Sequence, residues 1–212
     1  MNTFEKEVII RAMSKCLSTT DGQDKLLKGS GALMKLLFCF CGIKSLLDFA
    51  DSASEGRSLL RLLSWLSNLQ IVYNTLQKDP SGIRDVIYLA RIIGDGIFKI
   101  CDNVAFLGIK FQGYTDVSQD FARASRAGLF WGFFAAVMLS LYDLRYDRYT
   151  VNNKRRYITL VQNLCDLLTA ASTIRFAGFE MNLFWQSLLT LVSVLLSCAD
   201  CFRAATIKAK TS

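Results

Sequence analysis

"MNLFWQSLLTLVSVLLSCA", residues 181–199, holds nineteen residues without a charge. As an α-helix it covers about 28 Å, close to the ~30 Å hydrocarbon core of a bilayer. Asn182 and Gln186 stand near one end, where an interface tolerates them. A second run, "AGLFWGFFAAVMLSLY" at 127–142, has sixteen uncharged residues. It covers about 24 Å, and Arg123 and Arg126 can snorkel to extend it. These runs are read as two membrane spans rather than as buried helices of a soluble core, and that reading decides the fold class.

The totals agree with it. The chain has 212 residues, is 52% hydrophobic, and carries a formal net charge of +7. Its mean hydropathy is +0.29. A membrane protein with polar flanks combines these values easily; a soluble domain rarely does. The positive charges are spread along apolar helices rather than gathered on one basic element, so no nucleic-acid partner is expected. Pro80 is the single proline, against an average of about 5%, which permits long helices. Hairpin signals are scarce. The expectation is an all-α, multi-helical integral membrane protein, with an amphipathic region over 1–122 and a membrane region over 123–212.

There is no histidine, and there are seven cysteines: Cys16, Cys39, Cys41, Cys101, Cys165, Cys198 and Cys201. They are scattered, mostly within apolar runs, as reduced buried thiols are. Cys198-Ala-Asp-Cys201 has CxxC spacing but no second pair and no histidine, so no metal site is expected. Met1 to Arg11 lacks the apolar core of a secretory signal. No Ser-His-Asp or Cys-His pair is possible, no P-loop occurs, and Gly94-x-Gly96 does not continue into GxGxxG. The acids Asp21/Asp24 and Asp143/Asp147 lie at helix ends, where capping explains them. The expectation is no enzyme and no cofactor.

Ahead of the spans lie amphipathic segments. The first helix is expected from Thr20 or Asp21, with Thr20 and Gln23 in capping-box spacing. On a 100° wheel Leu26, Leu27, Leu33, Met34, Leu37, Phe38 and Cys41 share a broad arc, with Lys25, Lys28 and Lys35 opposite. Such a helix either lies in a headgroup layer as a lipid wedge or packs against its neighbours. The second helix is expected from Ser52, with Glu55 completing a capping box. Arg57, Arg61, Ser64 and Asn68 form a narrow polar stripe along it. Asp79-Pro80 then reads as N-cap and first helical residue. A third helix is expected from about Ser81 to Phe111, where Arg91, Asp95, Lys99 and Asp102 can pair in succession. Gly94 and Gly96 mark either a hinge or a close helix contact. As mid-membrane charges cost at least about 3 kcal/mol, these helices are not expected to span. Between the two runs, Arg145, Arg148, Lys154, Arg155 and Arg156 open a basic stretch that leads into one more amphipathic helix. Basic residues flank both runs, so charge does not decide orientation. Within the first run Ala124, Gly128, Gly132 and Ala136 recur every four residues, the small-xxx-small pattern of close helix–helix approach, within the chain or between copies.

Four stretches carry a resemblance to the peroxin-eleven family of peroxisomal membrane proteins. "TDGQDKLLKG" (20–29), with Asp24, is similar to the family's opening motif, although Gln23 stands where many members have Arg. "SEGRSLLRLLSWLSNL" (54–69) places Arg57 and Arg61 at the spaced arginine positions. "FKICDNVAFLGIKF" (98–111) places Asp102 at the acid of the third helix. The apolar pair occupies the family's membrane segments. Length and glycine use resemble the kinetoplastid branch of glycosomal integral membrane proteins. The resemblance implies a peroxisomal or glycosomal membrane protein that shapes the membrane and promotes organelle elongation, proliferation and division. It also implies membrane lipids, further copies, related family members, the peroxisomal membrane-protein import receptor and the fission machinery as partners, with both termini cytosolic. On that basis Lys25, Lys28, Lys35 and the apolar arc are the expected lipid contacts, and Ala124, Gly128, Gly132 and Ala136 the self-association stripe. The competing expectation is a small metabolite pore, with Arg61, Arg91 and Asp95 lining a polar path.

Overall fold

A computed structural model describes residues 10–11, 13–15, 17–78, 80, 82–113, 115–146 and 153–211, except the side chains of 112, 153, 201 and 203–211. Expectations for Cys16, Asp79, Asp147, Arg148 and the Cys201 thiol lie outside the described residues. Every regular element described is helical: α1 Thr20–Cys41, α2 Lys44–Leu60, α3 Trp65–Leu76, α4 Ile83–Gln112, α5 Asp116–Tyr146, α6 Asn153–Thr173 and α7 Leu183–Thr211. A 3-10 turn, Phe176–Gly178, links α6 to α7.

Local chemistry sets most of the ends. Thr19 caps α1, one residue before the expected start. Its backbone is extended and its hydroxyl accepts the Gly22 amide at 3.1 Å, leaving Asp21 in the first turn beside the positive end of the dipole. Gly42 ends α1 in the left-handed conformation, φ 68, and its amide donates to the Phe38 carbonyl, the standard glycine C-cap. Thr115 and Ser118 cap α5 reciprocally, each side-chain oxygen accepting the other's amide.

The expected helix from Ser52 onward differs. It starts earlier, at Lys44, and breaks after Leu60 into a turn over 61–64 before α3. Leu63 sits at φ 65, a conformation costing a non-glycine residue about 1–2 kcal/mol. The turn keeps Arg61 facing α1 and α4 while Asn68 of α3 faces α4. Likewise α4 begins at Ile83 with Gly82 as N-cap, so Pro80 precedes the helix rather than opening it.

Helices α5 and α7 are the two long and apolar enough to cross a membrane. α5 extends beyond its apolar run at both ends and continues unbroken across residues 122 and 123, whereas α7 begins at Leu183, two residues into its run, and continues past it.

The helix neighbours form a ring. α1 packs on α2, α2 on α4, α4 on α5, α5 on α6, α6 on α7, and α7 closes back on α1, while α3 leans on α4. The tightest contact is between α4 and α5. A Cβ built on Gly94 would lie 2.7 Å from the Gly132 amide nitrogen and 3.1 Å from the Gly128 carbonyl. The two backbones touch, as small residues allow.

Polarity is distributed inside out. Buried apolar residues are mostly alanines, such as Ala32, Ala50, Ala53, Ala105, Ala136 and Ala170, with few large side chains. Buried polar residues include Asn68, Asn103, Ser125, Asn163, Asp166, Ser187 and Ser193. Leucines, isoleucines and aromatics crowd the outside on every long helix, as Leu26, Leu69, Ile93, Trp131, Leu164 and Leu195 show. In water such a surface would be an association liability, one that a lipid environment would remove.

Candidate functional site

The ring lines a partly open cavity of about 740 Å³. Its wall carries Lys25, Lys28, Lys35, Arg57, Arg61 and Lys99 against Asp21, Asp24, Asp95, Asp102 and Asp166. Each stave contributes through helical spacing. On α1 the lining residues recur at Asp21, Asp24, Lys28, Gly31 and Lys35; on α6 at Gln162, Asp166, Thr169 and Thr173; on α7 at Gln186, Thr190, Ser193 and Ser197.

Ionic networks tie the staves together. Arg57 of α2 grips Asp24 of α1 with Nε at 3.1 Å and Nη2 at 3.3 Å. Arg61 reaches Asp24 at 3.5 Å and, through Nη2, Asp102 of α4 at 3.3 Å. The Ser58 hydroxyl donates to Asp102 at 3.2 Å, and the Arg61 guanidinium stacks 4.9 Å over the Phe98 ring. Asp24 therefore serves two arginines, and Arg61 serves two acids. Burial, and then the neighbouring Arg57 charge, lower the Arg61 pKa; Asp102, Asp24 and Asp95 oppose the shift.

A second knot holds α3 to α4. Asn68 donates to Asp95 at 2.8 Å and to the Ile92 carbonyl, and its own carbonyl accepts from Lys99. Lys99 also pairs with Asp95 at 2.7 Å. Across the ring, Lys28 of α1 pairs with buried Asp166 of α6 at 2.8 Å. Burial pushes the neighbouring Cys165 thiol up, Asp166 adds to this, and the backbone and Lys28 oppose it. Burial likewise raises Cys101.

The structure brings together all four family-motif residues, Asp24, Arg57, Arg61 and Asp102, in one network. It rearranges the other two sets. Lys25, Lys28 and Lys35 share one face of α1, and that face lines the cavity. On that face Lys25 pairs with Asp21, and Lys28 with Asp166. The outward face is the leucine side. Leu26, Leu33 and Leu37 are exposed, with Phe40 at 72%; Met34 and Phe38 are half-buried, and Leu27 turns toward the cavity.

The small-residue stripe is also placed. Gly128 and Gly132 are taken up within the chain by Gly94 and its neighbours on α4, leaving no glycine surface there for another copy. That settles the earlier choice at Gly94 in favour of a close contact. Ala136 is buried, and its carbonyl accepts from Asn163 of α6. Ala124 remains exposed.

Sequence reading missed Asp166 and the hydroxyl stripe of α7. The stripe had a legible signal: Ser187, Thr190, Ser193 and Ser197 recur at three- and four-residue steps inside an otherwise apolar run. The Ser187 and Ser64 hydroxyls, both on the cavity wall, have no hydrogen-bond partner. Among the described residues no cluster of potential metal ligands occurs. Comparison with protein-family models, curated proteins and solved structures finds no match.

Proposed function

We propose that the chain is a membrane-shaping protein of the peroxisomal or glycosomal membrane, of the kind its resemblance to the peroxin-eleven family implies. It acts in organelle elongation, proliferation and division. The observation that carries the reading is the outward ridge of α1, Leu26, Leu33, Leu37 and Phe40. Held against α2, α4 and α6 by the Asp24–Arg57–Arg61–Asp102 network and by Lys28–Asp166, this ridge enters one leaflet as a wedge. Each fully buried side chain contributes about 1.5–3 kcal/mol. Because the lysines are turned inward, insertion is driven by apolar area rather than by headgroup attraction, and depends little on salt. The convergence of residues from three stretches of the resemblance into one network supports the family reading. The copies, family members, import receptor and fission machinery expected as partners, and the cytosolic termini, rest on that resemblance.

The test is the shape of proteoliposomes containing the full chain. Wild type is expected to elongate vesicles, and the Leu33→Asp/Leu37→Asp variant to leave them round at equal incorporation. Equal elongation by both removes α1 from the account.

One observation favours a second reading, a metabolite pore: the ring lines a charged, partly open cavity, with apolar side chains outside. Planar-bilayer conductance separates the two. Unit currents altered by Lys35→Glu support a pore, and silent membranes containing vesicle-elongating protein exclude it.

A further inference from the structure

We infer that the end of the cavity around Lys35 is a binding site for a small, singly charged oxyanion that also carries hydroxyl groups, of the polyhydroxy-carboxylate kind. Six cations and five carboxylates line the cavity. Among the described residues, Lys25, Lys28, Arg57, Arg61 and Lys99 each end on at least one of those carboxylates, in the pairs given above. Lys35 is half-buried on the same wall and ends on none. A charge withdrawn from bulk water without a counter-charge is unfavourable. The wall carries one positive charge in excess, which one bound monoanion balances and a dianion overshoots.

Helix register gives Lys35 its neighbours. α1 and α7 run antiparallel, since Phe40 packs on Phe184 with ring centroids 5.8 Å apart and Gly29 lies against Val194. Lys35 falls between these contacts, level with Ser187 and Thr190. α7 turns back along α6, where Gln186 donates to Ser172 at 2.9 Å, so α6 runs the same way as α1 on the far side of the cavity. Lys28 meets Asp166 there. Lys35 lies two turns beyond Lys28, as Thr173 lies two turns beyond Asp166.

These neighbours are of two kinds. Ser187 is 3% exposed, and its hydroxyl, on the cavity wall, has no hydrogen-bond partner. A buried hydroxyl left so is destabilising, and a ligand oxygen removes the penalty. With the Lys35 Nζ it offers two donors to an anionic oxygen. The threonines have already committed their protons. Thr169 donates to the Cys165 carbonyl, Thr173 to the Thr169 carbonyl and Thr190 to the Gln186 carbonyl, at 2.8–2.9 Å. The Gln186 amide nitrogen is likewise committed, to Ser172 and to the Met181 carbonyl. These groups leave acceptors for the cavity, which suit ligand hydroxyls and repel a second anionic oxygen. An anion without hydroxyls satisfies only the donors; a neutral polyol satisfies only the acceptors. At about 740 Å³ the cavity has the usual size of a small-molecule site. The site stands whether or not the chain conducts, and it does not involve the outward ridge of α1.

The experiment uses the full chain in phosphatidylcholine nanodiscs, with ligand binding followed by saturation-transfer NMR. Gluconate is expected to bind saturably below about 10 mM. Acetate has the charge alone, sorbitol the hydroxyls alone, and glucarate a second carboxylate; each is expected to bind at least about tenfold more weakly. Lys35→Met is expected to weaken gluconate about tenfold or more, and Lys35→Arg to keep most of the binding. Ser187→Ala, a second variant that leaves the charge in place, is expected to weaken it several-fold. Lys44→Met, at the exposed start of α2, is expected to change nothing. Phosphatidylglycerol, whose headgroup is itself a hydroxylated monoanion, separates two sources of this chemistry. Displacement of gluconate by it upholds the site as one for a lipid headgroup, and undisturbed binding upholds it as one for a soluble acid. No saturable binding of gluconate, equal binding of acetate, sorbitol or glucarate, or wild-type binding by Lys35→Met or Ser187→Ala overturns the inference.

Discussion

Two glycines, two residues apart on α4, are expected to respond to the same substitution with opposite signs. A Cβ added at Gly94 would lie 2.7 Å and 2.8 Å from the Gly132 nitrogen and Cα, and 3.1 Å from the Gly128 carbonyl oxygen. All three are backbone atoms that no rotamer change can move. A Cβ at Gly96 would meet only the Asn68 side chain, at 3.7 Å and beyond, which is ordinary contact. Neither glycine has a positive φ, so both sites gain the helix preference of alanine, about 0.8–1 kcal/mol. At Gly96 that gain stands, and Gly96→Ala raises stability by about that amount. At Gly94 the helices must separate, and overpacking of this kind costs about 1–3 kcal/mol. Since the obstacle is rigid on every side, the upper end applies, leaving Gly94→Ala a net loss of about 2 kcal/mol. Thermal or denaturant unfolding of the detergent-solubilised protein, followed by circular dichroism, reads both. Gly132→Ala, at 3.3 Å from the Asp95 nitrogen, should fall between them. Equal stabilisation by Gly94→Ala and Gly96→Ala would refute the backbone contact between α4 and α5, and with it the placement of Gly128 and Gly132 inside the chain.

Asp24→Ala removes the acceptor shared by Arg57 and Arg61. It should cost about 2 kcal/mol in the same unfolding assay. The Asp24→Ala/Arg57→Ala pair should cost less than the sum of the single changes. Raising salt from low to physiological should leave vesicle elongation nearly unchanged, since no headgroup-contacting lysine drives it; a steep loss would return Lys25, Lys28 and Lys35 to the lipid surface. In detergent at pH 7, Cys165 should react with maleimide at least about tenfold more slowly than exposed Cys39 and Cys41. Its raised pKa leaves less thiolate there, and the gap should narrow as pH rises; mass mapping of labelled peptides reads this directly.

The sequence made the helices legible and hid their facing. The α1 wheel separated the lysines from the leucines other than Leu27, since 3.6-residue spacing decides which side chains share a face. It could not tell which face turns inward. In water the leucine side would be the default interior, whereas a bundle in lipid reverses that choice. Lys28 faces the cavity because Asp166 lies 138 positions away, and no local pattern announces such a partner. The break after Leu60 was equally silent: no glycine or proline marks it, and Leu63 takes a left-handed conformation that its own side chain disfavours. By contrast Gly94, Gly128 and Gly132 were visible as candidates, and only the register between two helices decided that they meet each other. The same limit explains the family-motif residues. Asp24, Arg57, Arg61 and Asp102 were singled out separately, and their convergence belongs to the packing of α1, α2 and α4.

The closure of α7 onto α1 carries a consequence for how the molecule comes into being. On a ribosome α1 emerges first and its partner last, and Gly29 meets Val194 only when nearly the whole chain has been made. Until then the lysine face of α1 lacks the hydroxyl stripe of α7 to turn toward. Joining Lys28 to Asp166, 138 residues apart, costs about 4 kcal/mol in chain entropy beyond a constant. Until α7 is made the first helix is a charged, leucine-backed amphiphile with one face uncovered, and the last helix sets the moment at which that face is covered.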